Sequence, residues 1–83
     1  PTNQLQIITI TGANNIKATQ IYNLCNQLKL TDAGLYKSKY TNITKTIQTI
    51  TIGPVSNGDA NSIYQLCKQI GIVDAGQYSS RYV

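Results

Sequence analysis

The chain contains no histidine, glutamate, methionine, phenylalanine or tryptophan, and its acids are three aspartates, Asp32, Asp59 and Asp74. Without histidine or glutamate it lacks the side chains most used as general bases near neutral pH and the imidazoles most used as metal ligands. The aspartates lie among turn residues, where Asx turns and capping account for them. No catalytic residue, metal or cofactor is therefore expected, and the chain reads as a non-enzyme. No apolar run approaches the roughly 18 residues that span a bilayer, and no basic, apolar, small-residue sequence of the signal-peptide kind opens the chain. Because it begins with Pro1, the chain is expected to be an excised domain or processed piece of a larger protein.

What is present points to one small folded unit. Hydrophobic residues make up 41% of the 83 positions and charged residues 12%, enough for a core, with a surface carried by Asn, Gln, Thr and Ser. A chain of this length buries only about 60–65% of its unfolded surface, so one domain over 1–83 with a thin core is expected. The net charge of +4 is a mild bias toward anionic partners, too diluted to indicate nucleic acid.

The strongest signal is internal. Residues 1–41 laid over 43–83 without gaps are identical at 18 of 41 pairs, which is a duplication. The pairs include Ile8/Ile50, Thr9/Thr51, Ile10/Ile52, Cys25/Cys67 and all six tyrosines, as Tyr22/Tyr64, Tyr36/Tyr78 and Tyr40/Tyr82. Each half opens with an alternating β-branched segment, Gln6 to Thr11 and Ile47 to Ile52, which predicts a strand. Turn residues are expected next, at Gly12-Ala13-Asn14-Asn15 and at Gly53-Pro54 with Ser56-Asn57-Gly58-Asp59. Helical spacing of Ala18, Ile21, Leu24, Cys25 and Leu28, and of Ala60, Ile63, Leu66, Cys67 and Ile70, predicts an amphipathic helix of about three turns in each half. Each half ends in Tyr-x-Ser-x-Tyr, a second strand. Two such βαβ units related by a pseudo-two-fold axis make an α+β, two-layer βαββαβ sandwich, with two helices on one face of a four-stranded antiparallel sheet. If Ile8, Ile10, Ile50 and Ile52 point at the helices, Thr9, Thr11, Thr49 and Thr51 point to the uncovered face.

The run Ile50-Thr51-Ile52-Gly53-Pro54-Val55, followed by a polar turn and a helix opening at Ala60 and ending near Gly71, resembles the second half of a SPOR domain. Ile8-Thr9-Ile10-Thr11-Gly12-Ala13 leading to Ala18 falls on that family's first strand and helix, so the likeness covers nearly the whole chain. The resemblance implies a non-catalytic module of the bacterial cell envelope (periplasm), within a larger exported or anchored cell-division or wall-remodelling protein. It implies binding of peptidoglycan glycan strands lacking stem peptides across the open sheet face. The family often presents a Gln in its first strand and an aromatic with an Arg in its third; the matching positions here are Thr9, Ile47 and Thr49. The expected glycan-binding set is Thr9, Thr11, Ile47, Thr49 and Thr51, flanked by Lys39 and Arg81, in a monomer that touches neither nucleic acid nor membrane itself.

Two rival functions share this fold. A ligand-sensing or protein-interaction domain stays open, since fold does not fix function. RNA binding on the sheet would need stacking aromatics on the central strands, where this chain carries Ile and Thr. In the outer segments Tyr36, Tyr40, Tyr78 and Tyr82 alternate with Lys37, Lys39, Ser79 and Arg81, and burying unpaired cations is the costlier choice. The tyrosines are expected to face the helices and the cations to flank the open face; turned outward, the tyrosines would instead be sugar-stacking platforms. Tyr22 and Tyr64 are expected at the core boundary. An envelope location raises the idea of a Cys25–Cys67 disulfide. Antiparallel helices offset each Cys about two residues past its midpoint, separating the pair by roughly 6 Å axially on top of 8–10 Å between axes. That exceeds a disulfide's reach of about 4.4–6.8 Å between Cα atoms, so two packed thiols are expected and a bridge is the alternative. Asn42-Ile43-Thr44 matches a glycosylation sequon and is taken as chance.

Overall fold

The computed structural model of the chain describes residues 5–83. The order is β1 (Leu5–Asn14), α1 (Asn15–Gln27), β2 (Tyr36–Tyr40), β3 (Ile47–Ser56), α2 (Asn57–Gln69) and β4 (Tyr78–Tyr82). The strands form one antiparallel sheet in the order β2-β3-β1-β4. This is an α+β βαββαβ sandwich, with the two long strands central and the two Tyr-x-Ser-x-Tyr strands at the edges.

The pairing register obeys the duplication. Thr9 lies opposite its own repeat mate Thr51, so the pseudo-two-fold axis passes between them; Ile8 opposite Ile52 is matched by Ile10 opposite Ile50. At the edges Tyr36 faces Ile52 while Tyr78 faces Ile10. The likeness reaches side-chain bonds: Gln48 Nε2 donates to Asn15 Oδ1 at 2.9 Å, and Gln6 Nε2 donates to Asn57 Oδ1 at 2.9 Å.

The expected turns after the first strands are a point of correction. β1 and β3 run through Gly12-Ala13 and Gly53-Pro54 directly into their helices, and the register shifts there, between Ile10 and Ala13 and between Gln6 and Ile8. Gly12 (φ 67°) and Gly53 (φ 132°) occupy backbone conformations open mainly to glycine, and they mark bulges, not chain reversals. The Gly53-Pro54 peptide is cis. Each bulge is tied to the segment leading into an edge strand: Gly53 N–H donates to Leu35 O at 3.0 Å and Thr11 N–H to Gln77 O at 3.0 Å.

The helices start on repeat-related caps, Asn14 Oδ1 accepting from Lys17 N at 2.9 Å and Ser56 Oγ from Asp59 N at 3.3 Å. Asp59 thus sits in the first turn of α2, where its charge also complements the helix dipole. Helix composition is only moderately favourable, with Asn, Ile and Tyr in both, so the helices are held by their apolar stripes. Ala18, Ile21 and Cys25 of α1 and Ala60, Ile63 and Cys67 of α2 are buried against Ile8, Ile10, Ile50 and Ile52. Leu28 and Ile70, expected within the helical stripe, are the C-caps, and the chain then enters the left-handed region at Lys29 (φ 67°) and Gly71 (φ 85°). That reversal plugs Leu30 and Ile72 into the core, a pair the helical spacing does not indicate. No polar side chain is buried among the described residues.

Candidate functional site: the open sheet face

Antiparallel partners share a face, so the register assigns every strand residue to one side of the sheet. Ile8, Ile10, Ile50 and Ile52 are fully buried beneath the helices. The opposite face carries Ile7, Thr9 and Thr11 along β1 and Ile47, Thr49 and Thr51 along β3. Thr11 and Thr51 are exposed and Thr9, Ile47 and Thr49 half-buried, so the expected central set shares one surface. Thr11 falls at the first bulge, toward the rim.

The edge strands complete it. Lys37 pairs with Thr51 and Lys39 with Thr49; Ser79 pairs with Thr9 and Arg81 with Ile7. All four edge residues are exposed. Lys39 and Arg81 therefore stand at diagonally opposite corners, while Tyr36, Tyr40, Tyr78 and Tyr82 share the helix side. Lys37, Lys39, Thr49 and Thr51, with Ser38, bound a shallow depression of about 290 Å³. Ile7 and Ser79 were not among the expected contacts, although strict alternation from Gln6 already aligns Ile7 with Thr9. Ser79 Oγ lies 3.3 Å from Thr9 O, to which it donates.

The central strip of this face is uncharged, with threonine hydroxyls at its middle and isoleucines at its ends, and the cations are confined to the rim. Such a surface can hydrogen-bond a polyhydroxylated ligand through many individually weak contacts, direct or through water. It offers no nucleophile activated by a base, and among the described residues no group of three or more His, Cys, Asp or Glu side chains comes together.

The remaining chemically distinctive groups lie elsewhere. Cys25 and Cys67 are buried free thiols; burial pushes Cys25 up to about 12, with the neighbouring Cys67 and Asp59 adding to it, and burial pushes Cys67 up to about 11. They are packing groups, not nucleophiles. Tyr22 and Tyr64 lie on the helices and meet Tyr36 and Tyr78 edge to face, with ring centroids 5.3 Å apart in both pairs. Burial pushes Tyr36 up to about 12 and raises Tyr78 as well. Asn42, the sequon asparagine, shapes the loop before β3. Its Oδ1 accepts from the N–H groups of Thr46 and Ile47, and its Nδ2 donates to Thr44 and Thr46 hydroxyls.

No protein-family model matches the chain, and no curated protein matches it.

Proposed function

We propose that this chain is a non-catalytic binding domain for bacterial peptidoglycan, holding glycan strands that lack stem peptides against the open face of its sheet. The observation that carries the reading is the make-up of that face: a neutral strip of Thr9, Thr49 and Thr51 on the central strands, with Lys39 and Arg81 at the rim. A glycan strand stripped of its peptides is a long polyol that carries one freed lactyl carboxylate per disaccharide, and an open hydroxyl-bearing strip with cations at its rim suits it in both length and charge. The SPOR-like order of residues from Ile8 to Ala18 and from Ile50 to Gly71 supports the same ligand and a place in the cell envelope. The described residues of β1 and β3 include no aromatic, which disfavours RNA, whose bases need stacking platforms on those strands.

The test is co-sedimentation with purified sacculi, with and without amidase removal of stem peptides, using Thr49→Glu/Thr51→Glu. These two positions face Lys39 and Lys37, so the new carboxylates lie opposite cations and the pairing is not weakened. A glutamate at Thr9 is avoided because with Thr51→Glu it would set like charges directly across the axis. The parent domain should sediment with amidase-treated sacculi and the double variant should stay in solution. A folded double variant that sediments like the parent overturns the sheet-face reading.

A further inference from the structure

The duplication leaves a groove on each flank, between a helix and the edge strand beside it. One lies between α1 and β2 and is lined by Ala18, Thr19, Tyr22, Tyr36 and Gln48, enclosing about 190 Å³. Its repeat mate lies between α2 and β4, with Gln6, Asn57, Asn61, Tyr64, Tyr78 and Tyr82 among its walls, and encloses about 420 Å³. Both belong to the helix side of the molecule and are separate from the open sheet face.

We infer that the α2–β4 groove is a second binding site, for a neutral pyranose ring. Its walls carry no charged side chain, in a domain whose net charge is +4, so an ionic ligand gains nothing there. Three tyrosines present ring surface: Tyr64 and Tyr78 are locked edge to face at 5.3 Å and 74°, and Tyr82 is 53% exposed. Aromatic faces accept the C–H face of a sugar ring, and tyrosine adds a hydroxyl that stays wet. Planar amides stand beside them. Gln6 Nε2 is fixed on Asn57 Oδ1, which pre-orients Gln6 with its Oε1 available to accept from a sugar hydroxyl, and Asn61 adds an exposed amide one helical turn along. Rigid rings with orienting amides are the combination that reads a polyol.

The two grooves differ in a way that makes the molecule its own control. Small-ligand sites occupy roughly 300–1,000 Å³, a range that the groove of about 420 Å³ enters and the groove of about 190 Å³ does not. On the smaller side Asn15 Nδ2 is held by Lys45 O at 3.1 Å, tying the loop before β3 against the start of α1. Of the two grooves, pyranose binding is assigned to the one between α2 and β4. The assignment rests on the chemistry of these walls and not on the sheet-face reading.

The experiment is an NMR titration of the whole 15N-labelled chain with a β-1,4-linked N-acetylglucosamine tetramer, a neutral probe, following backbone and side-chain amide signals. The Gln6, Asn57 and Asn61 side-chain amides and the backbone of 78–82 should shift in the parent and in Thr49→Glu/Thr51→Glu alike. Tyr82→Ala, an exposed change at the end of an edge strand, should weaken those shifts about tenfold in apparent affinity, whereas Tyr40→Ala, its repeat mate, should leave them unchanged. Shifts confined to Thr9, Thr49 and Thr51, or no shifts at millimolar tetramer, would overturn the groove while leaving the sheet face to be judged by sedimentation. Equal losses in Tyr82→Ala and Tyr40→Ala would also overturn it. The parent titration decides the matter should either variant fold poorly.

Discussion

Replacing Gly53 with alanine should cost this domain far more than the same change at Gly76, although both glycines have positive φ. At Gly53 (φ 132°) an added Cβ would lie 2.6 Å from Gln6 O and 3.0 Å from Ile7 Cα; at Gly76 (φ 75°) it would meet nothing within 4 Å. The first two atoms are main chain of the neighbouring central strand and cannot rotate away. A non-glycine residue in a disfavoured backbone region costs about 1–3 kcal/mol. Forcing atoms into a filled space adds about 1–3 kcal/mol, and the stiffer unfolded chain returns about 0.4–1 kcal/mol. Taken at mid-range these contributions give a loss of about 3 kcal/mol for Gly53→Ala, and about 1 kcal/mol or less for Gly76→Ala because only the left-handed conformation is penalised. Against a total of about 4–12 kcal/mol for a chain of this length, the first change takes a large share. Urea unfolding followed by circular dichroism reads both: with a slope near 1 kcal/mol/M, the midpoint should fall by about 2 M or more for Gly53→Ala and by under about 1 M for Gly76→Ala. Equal losses, or a Gly53→Ala midpoint within about 0.5 M of the parent, would refute the account of the bulge as a close approach of two backbones.

The buried thiols make a second prediction. Cys25 and Cys67 should resist a thiol reagent at pH 8 in the native domain and both react once it is unfolded; fast native labelling would contradict their packing. Because burial raises them from an ordinary 9.0 to about 12 and about 11, the folded state keeps its thiol protons where the unfolded state has lost them. Their contribution is fully present below pH 9 and is lost as pH rises through 11 to 12, so the midpoint temperature should fall on that alkaline side. Cys25→Ala/Cys67→Ala should flatten the fall at its start, below the range where Tyr36 and Tyr78 ionise. Finally, Lys29 holds the left-handed cap that its repeat mate fills with Gly71, so Lys29→Gly should raise stability by up to about 1 kcal/mol, seen as a higher urea midpoint. A drop would mean that the gain in unfolded-chain freedom outweighs the relief of strain.

Much of this architecture is legible in one dimension, because the signals that carry it are local or repeated. Period-two alternation at Ile8-Thr9-Ile10 and Ile50-Thr51-Ile52, helical spacing from Ala18 and Ala60, and the offset of 42 residues define strands, helices and their pairing into halves. The same alternation, with the cost of burying Lys39 or Arg81, sets the edge tyrosines on the helix side. The sequence could not say whether Gly12 and Gly53 end a strand or bulge it. A glycine permits either conformation, and the choice depends on the partner strand, whose register places Ile7 against the second bulge. Leu30 and Ile72 are core only because the chain reverses at Lys29 and Gly71, outside any helical period. The pairing of Thr9 with Thr51 across the axis, and the unequal grooves beneath repeat-related tyrosines, follow from contacts between residues far apart in the chain. Local periodicity encodes which face of an element is apolar; what that face meets, and what space is left beside it, is decided by packing.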